Sequence, residues 1–106
     1  MSKYLLKVSY TVQGTQGLKK EGGTARKDVV EKLAADMGGS IEAFYFAFGD
    51  DDLYVIADFP SDEAAAALSL TVGASGAVRV STIPLLTADQ VDAAARMDIA
   101  YRPPGA

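Results

Sequence analysis

Apolar and polar residues alternate from residue 3 to residue 11, and this period of two predicts a first β-strand. One side of the strand carries the larger side chains, namely Tyr4, Leu6, Val8 and Tyr10. The other side carries Lys3, Lys7 and Ser9, and only Leu5 departs from the alternation.

The spacing of apolar residues becomes helical between Gly14 and Gly39, which predicts a first helical region that ends at the Gly38-Gly39 pair. Two adjacent glycines, Gly22 and Gly23, interrupt it, and each costs about 1 kcal/mol relative to alanine in a helix. We therefore expect either a kink there or a separate short turn before a main helix capped by Thr24.

Two further strands are predicted at residues 40–48 and 53–59, joined by a tight hairpin at Gly49 to Asp52. Simple alternation in the first of them separates two sets of side chains. One face carries Ile41, Ala43, Tyr45 and Ala47, and the other carries Glu42, Phe44, Phe46 and Phe48.

The last part of the chain predicts a helix, a strand and a short helix. Ser61 is the expected N-cap of an Ala-rich helix that Gly76 ends, with small residues from Ala64 to Ala67 that let it approach the sheet. A strand follows at residues 77–83 and is expected to stop at Pro84. A capping box beginning at Thr87 opens a helix to about Arg96, and residues 97–106 form an extended tail.

This order of elements, βαββαβ plus a C-terminal helix, predicts one α+β domain over residues 1–106 with ferredoxin-like topology. Both main helices then cover one face of a four-stranded antiparallel sheet, and the other face stays bare. Eight of the nine aromatic residues lie in the predicted strands, more than the helices are expected to cover. We therefore expect the chain to form a homodimer or a larger closed oligomer.

Composition removes several classes of function. The chain has no Cys and no His, so disulfides, thiolate or imidazole metal sites, a Cys nucleophile and a His base are all excluded. We expect neither a metal nor a cofactor. A net charge of −4 with scattered Lys and Arg argues against nucleic acid as a partner.

The sequence also predicts no membrane partner. The longest uncharged stretch, residues 64–78, is shorter than the roughly 20 apolar residues that a spanning helix needs. Residues 1–7 lack the apolar region of a signal peptide. A cytoplasmic location is the resulting expectation.

Several segments of the chain together resemble the GYD domain family of small bacterial proteins. They are Lys3 to Thr11, Gly22 to Arg26, Gly38-Gly39, Phe44 to Gly49, and Gly73 to Arg79. The resemblance covers nearly the whole chain and implies a ferredoxin-like fold of the dimeric α/β-barrel type, in a family without an established biochemical role. The naming signature of the family aligns with Gly49 to Asp52, where Asp51 replaces the family tyrosine.

Three candidate sites follow from residue types, each with a structural alternative. Asp50 to Asp52 offers oxygen ligands to a hard cation, but is more typical of a solvated turn. Gly22 to Lys27 offers free amides and Arg26 to an anion, or is only a helix kink. Tyrosines and an arginine on the strands line a cleft or simply pack an interface, and they are Tyr10, Tyr45, Tyr54 and Arg79.

We first expect a small-molecule-binding domain whose pocket lies between sheet, helix and partner subunit. The predicted ligand-binding residues are Tyr10, Arg26, Tyr45, Asp52 and Arg79. The alternatives are a cofactor-independent enzyme for a small carbonyl or acidic substrate and a purely structural or regulatory oligomer. If the protein is an enzyme, we expect Tyr45 to donate a proton or to orient the substrate. Either Arg26 or Arg79 then stabilises an anion, and Asp52 orients a reacting group or acts as a weak base.

Overall fold

The computed structural model describes residues 1–106 as four strands and four helices. In chain order they are β1 (Ser2–Tyr10), α1 (Val12–Glu21), α2 (Gly23–Asp36), β2 (Ser40–Phe46), β3 (Leu53–Phe59), α3 (Asp62–Ala74), β4 (Val78–Leu85) and α4 (Ala88–Ala95). The strands form one antiparallel sheet in the order β2-β3-β1-β4. The predicted α+β class with ferredoxin-like topology is confirmed.

The core lies between the sheet and the two longer helices, α2 and α3. Every second residue of β1 and β3 points into it, as the period of two predicts, so that β3 buries Leu53, Val55, Ala57 and Phe59. Val30 and Ala34 of α2 and Ala65 and Leu68 of α3 close the core from above. Each large apolar side chain buried in this way contributes about 1.5–3 kcal/mol to the free energy of unfolding.

The predicted interruption of the first helical region is confirmed, but the expectation that Thr24 caps the second helix is wrong. Gly22 has a φ of 87°, a conformation that residues with a side chain rarely adopt, and it both ends α1 and precedes α2. The chain turns at Gly22 itself, so Thr24 already lies within α2.

Helix α1 lies close to the start of β4. Its N-cap, Thr11, accepts a hydrogen bond from the backbone of Gly14, and the Thr11 hydroxyl donates to the Gly76 carbonyl at 2.8 Å. A Cβ atom at Gly14 would lie 1.9 Å from the Ala77 carbonyl oxygen. Only glycine allows α1 to approach this backbone.

Strand β2 departs from the predicted alternation because it contains a β-bulge. Ile41 pairs with Ala57, but Ala43 pairs with Ile56, so Glu42 is an extra residue between them. The bulge places Ile41, Phe44 and Phe46 on the helix-covered face and Ala43 and Tyr45 on the bare face. The expectation that Ile41 shares a face with Ala43 and Tyr45 is therefore wrong.

The bulge also corrects the expected surplus of aromatic residues on the bare face. Five of the eight aromatic residues in the predicted strands face the helices, namely Tyr4, Tyr10, Phe44, Phe46 and Phe59. Phe48, expected in β2, lies beyond its end with a φ of 130° and stacks on Phe46. Only Tyr45 and Tyr54 remain on the bare face.

The second half of the chain follows the predicted order. Ser61 caps α3, and Thr87 and Gln90 form the predicted capping box of α4. The expectation that Pro84 ends the last strand is wrong, because Pro84 pairs with Tyr4 within β4. Since β4 is an edge strand, the missing N–H of proline is tolerated there.

Residues 86–106, which include α4 and are called the C-terminal arm below, extend away from the sheet. Every residue of the arm is exposed, and α4 buries none of its side chains. The radius of gyration is 17.0 Å, whereas a compact chain of about 100 residues has roughly 13 Å. The molecule measures 57 × 33 × 22 Å. None of its helices is both long and apolar enough to cross a bilayer.

Candidate functional site

A cleft lies on the helix-covered face of the sheet, where α2 and α3 stand apart. Helix α2 packs on β2, whereas α3 packs on β4 and β3, so the middle of the sheet lies between them. The cleft has apolar walls from strands and helices, formed mainly by Leu6, Val8, Val55, Val30, Leu33, Leu68, Val72 and Val80. The cleft is partly open to solvent and has a volume of about 40 Å³, which is room for roughly three waters.

Two polar side chains, Tyr10 and Arg26, lie together at one end of this cleft. The Tyr10 hydroxyl is buried and is the one buried side-chain polar atom without a hydrogen-bond partner. The Arg26 guanidinium lies near enough to interact with it electrostatically, but it forms no ion pair with any carboxylate. An unpartnered hydroxyl and an unpaired cation therefore share the end of an apolar cavity.

The surroundings of Tyr10 determine what its phenol can do chemically. Burial raises the pKa of the phenol above its ordinary value of 10.0, the Arg26 guanidinium opposes that shift, and Asp52 adds to it. Tyr10 thus keeps its proton at neutral pH, so it is a hydrogen-bond donor and not a base.

A second, more polar depression adjoins Tyr10 and Arg26 on the side of α1. It is lined by Gln13, Gly14, Gly17, Leu18, Glu21 and Ala77, together with the same tyrosine and arginine. The two polar side chains therefore lie between the apolar cleft and a depression open to solvent.

The structure does not bring the other three predicted site residues into the cleft. Tyr45 lies on the bare face of the sheet with 73% of its surface exposed. Arg79 lies at the end of β4 on that same face, near Lys7 and Asp51. The enzyme hypothesis combines Tyr45 and Asp52 with Arg26 or Arg79, and neither arginine shares a pocket with that tyrosine and aspartate.

Asp52 instead holds the end of the first strand. Its carboxylate accepts a hydrogen bond of 2.8 Å from the backbone N–H of Tyr10, and its own N–H donates to the Val8 carbonyl. The signature aspartate of the β2–β3 turn thereby fixes the backbone from which the Tyr10 side chain enters the cleft.

Asp51, the neighbouring residue of the β2–β3 turn, is also paired within the molecule. Its carboxylate accepts from the Ser9 hydroxyl at 3.0 Å and lies 3.5 Å from the Lys7 ammonium. No group of three metal-ligating side chains occurs in the structure. Asp51 and Asp52 thus hold the C-terminal end of β1, and Asp51 neutralises a lysine.

Sequence reasoning found Tyr10 and Arg26 but not the walls of the cleft. The helical wall residues are Val30, Leu33, Leu68, Ser69 and Val72, and their spacing of three or four residues does indicate faces turned toward the sheet. It does not indicate that the two helices stand apart. Of the small residues of α3 that were expected to approach the sheet, Ala65 is buried, whereas Ala66 and Ala67 are exposed.

The fold and the cleft define a small α+β domain with a cavity between its helices and its sheet. The sequence matches the family model for the GYD domain over residues 4–95, and the chain belongs to the GYD domain family. Comparison with curated proteins gives no match, and comparison with solved structures gives none.

Proposed function

We propose that the protein binds a small, mostly apolar molecule with one carbonyl or carboxylate oxygen in the cleft between α2, α3 and the sheet. The observation that carries this proposal is the buried, unpartnered hydroxyl of Tyr10 at the end of an apolar cavity. A buried polar group without a partner costs about 1–3 kcal/mol, and a ligand oxygen that accepts its hydrogen bond removes this cost.

The unpaired guanidinium of Arg26 favours an oxygen with negative charge. Hydrogen bonds between a guanidinium and a carboxylate are about twice as strong as those between neutral groups. The apolar walls from β1, α2 and α3 then accommodate the hydrocarbon part of the molecule. Tyr10 and Arg26 select the ligand's oxygen, and the walls select against further polar groups.

The size of the cleft limits the ligand in this conformation to a few heavy atoms. A longer ligand requires α2 and α3 to move apart, and the two helices rest on different strands, so such a movement leaves their main contacts with the sheet intact. We expect binding to be accompanied by a shift of α3, whose side chains here are mostly small.

A second copy of the chain belongs to this proposal as the cover of the bare face. One apolar row crosses all four strands there, formed by Ala43, Ile56, Leu5 and Ile83 in register. An ion-pair group of Lys3 with Asp58 and Glu42 flanks one side of the row. Packing of this face against its copy supports the sheet beneath the cleft.

The experiment is a titration of the ¹⁵N-labelled protein, followed by amide chemical shifts, with three probes of equal chain length: hexanoate, hexanal and hexylamine. We expect hexanoate to bind best and to shift the amides of Val30 and Leu68, and hexylamine not to bind. Tyr10→Phe and Arg26→Gln should each weaken hexanoate binding about tenfold, which corresponds to one lost hydrogen bond to a charged group.

Tyr45→Phe is the matched control, because it removes the same atom from a tyrosine on the opposite face. Hexanoate affinity that is equal in Tyr10→Phe, Arg26→Gln and the control would overturn the proposed site. If none of the three probes shifts the amides of the cleft, the proposal that this cleft binds small apolar molecules with one oxygen group is overturned.

A further inference from the structure

The C-terminal arm carries five large apolar side chains that are exposed to solvent. They are Leu86, Val91, Met97, Ile99 and Tyr101. Scattered single apolar residues are ordinary on a surface, but here they recur through one segment that extends away from the rest of the molecule. The arm therefore has an apolar side and nothing of its own chain against it.

Helix α4 is too short to be stable by itself. It has eight residues, whereas isolated helices below about 12–15 residues are marginal in water. Its complete capping box satisfies the first turn, yet the helix buries no side chain. A helix of this kind needs a packing partner.

A large groove lies on the outer flank of α3, along the exposed edge of β4. It is lined by Ala65, Ala66, Ser69, Leu70, Val80, Thr82 and Pro84, with Tyr4 and Asp62 at one end. Leu70 has 74% of its surface exposed, although it lies on a helix whose other face is in the core. The groove is wider and more open to solvent than the cleft on the other side of α3.

We propose that the C-terminal arm of one copy binds in the α3–β4 groove of a second copy. Only Leu86 separates β4 from the N-cap of α4, and Thr87 is extended, so the arm continues away from β4 instead of turning back onto its own groove. The groove borders the same edge strand from which the arm departs. A two-fold axis beside β4 therefore brings each arm to the other copy's groove.

The length of the arm suits such an exchange. A stable interface takes about 20–30 residues from each partner, and residues 86–106 alone approach that number. The family model matches the arm only as far as residue 95, so residues 96–106 lie outside the matched part of the chain.

One pairing of opposite charges is available between arm and groove. Asp62 lines one end of the groove in the first turn of α3, with the exposed Glu63 next to it in the chain, and neither forms an ion pair with a lysine or arginine. Beside three aspartates, Asp89, Asp92 and Asp98, the arm carries two cations, Arg96 and Arg102, and neither cation has a carboxylate partner. We expect Arg96 to lie near Glu63 of the second copy.

The test uses the absence of cysteine from the natural chain. Full-length proteins with Leu70→Cys are mixed with full-length proteins that carry Val91→Cys, Met97→Cys or Ile99→Cys, and the mixtures are mildly oxidised. Disulfides form only between residues whose Cα atoms come within about 7 Å. We expect a covalent heterodimer with at least one arm position, at a yield at least tenfold above that with Val29→Cys, an exposed position on α2.

A double variant that carries Leu70→Cys and the successful arm position separates exchange from folding back. A covalent dimer supports exchange, whereas an oxidised monomer with an internal disulfide overturns it. Exchange is also overturned if none of the three arm variants gives more heterodimer with Leu70→Cys than Val29→Cys does.

An independent readout is the dimer dissociation constant from sedimentation velocity. Arg96→Glu should raise it about tenfold, and Arg96→Glu combined with Glu63→Arg should restore it. Because both positions are exposed, neither change threatens the fold, and an unchanged constant in Arg96→Glu would contradict the assigned contact.

Discussion

Tyr4 and Tyr10 lie on the same side of β1, but their hydroxyls have different surroundings. Tyr4 donates a hydrogen bond to the Asp62 carboxylate at the start of α3, and this bond chiefly raises the pKa of Tyr4. Tyr10 has no such partner, and burial chiefly raises its pKa. The first tyrosine joins sheet to helix, while the second keeps a free donor in the cleft.

The raised pKa values predict loss of stability at alkaline pH. The folded protein holds the protons of Tyr4 and Tyr10 more tightly than the unfolded chain, whose phenols titrate near 10.0. Their contribution to the free energy of unfolding is therefore complete below about pH 10 and is lost as pH rises through the folded-state values. Lys3, whose bonds to Glu42 and Asp58 raise its pKa above 10.5, acts in the same direction.

Urea unfolding at a series of pH values checks this prediction. Tyr10→Phe should make the decline above pH 10 shallower than in the unaltered protein, whereas Tyr45→Phe, on the exposed face, is the control. If the free energy of unfolding falls as steeply above pH 10 in Tyr10→Phe as in the unaltered protein, the role assigned to Tyr10 is contradicted.

Asp52→Ala should lower the free energy of unfolding by about 1–3 kcal/mol, because the backbone N–H of Tyr10 then loses its acceptor. Asp50→Ala is the matched control, since Asp50 is exposed and in the same turn. Its effect should stay within about 0.5 kcal/mol. Equal values for the two variants in thermal or urea unfolding would refute the role assigned to Asp52.

At the scale of the elements, the sequence predicts most helices and strands because their periods and caps are local properties. Ser61, Thr87 and the Gly22-Gly23 break are all read from neighbouring residues. Pro84 and Glu42 are not, because their outcome depends on the partner strand. Proline is accepted where β4 is an edge, and the bulge exists only relative to β3.

Two glycines near the α1–α2 break should respond in opposite directions to the same substitution. Gly22→Ala forces a side chain into a conformation with a φ of 87°, which should lower the free energy of unfolding by about 1–3 kcal/mol. Gly17→Ala adds a methyl group within α1 where no atom lies nearby, and should raise it by about 0.5–1 kcal/mol. Thermal unfolding of both variants measures the difference, and changes of the same sign would refute the described break.

At the scale of the whole molecule, the candidate site could be predicted only in part. Tyr10 and Arg26 were identified because a phenol and a guanidinium are chemically distinctive. Their separation from Tyr45 and Arg79 depends on which face of the sheet each occupies. The cleft depends on the distance between two helices, which no local pattern encodes.

The unaltered chain should be at least a dimer at micromolar concentration, as measured by light scattering. The apolar row on the bare face and the exposed arm both support this expectation. Ile83→Asp, at the β4 end of the row, should lower the average mass, whereas Val12→Asp at the start of α1 should not. A monomer in the unaltered protein would contradict both proposed contacts between copies.

The bulge in β2 has a consequence for how the gene can change length. Glu42 is the extra residue between two paired ones, so loss of its codon would leave Ile41 and Phe44 on the same faces as before and remove only one of the two carboxylate partners of Lys3. Loss of the codon for Tyr45 would instead turn Phe44 or Phe46 out of the core. Within this strand, natural deletions are thus expected at residue 42 and selected against two or three codons later.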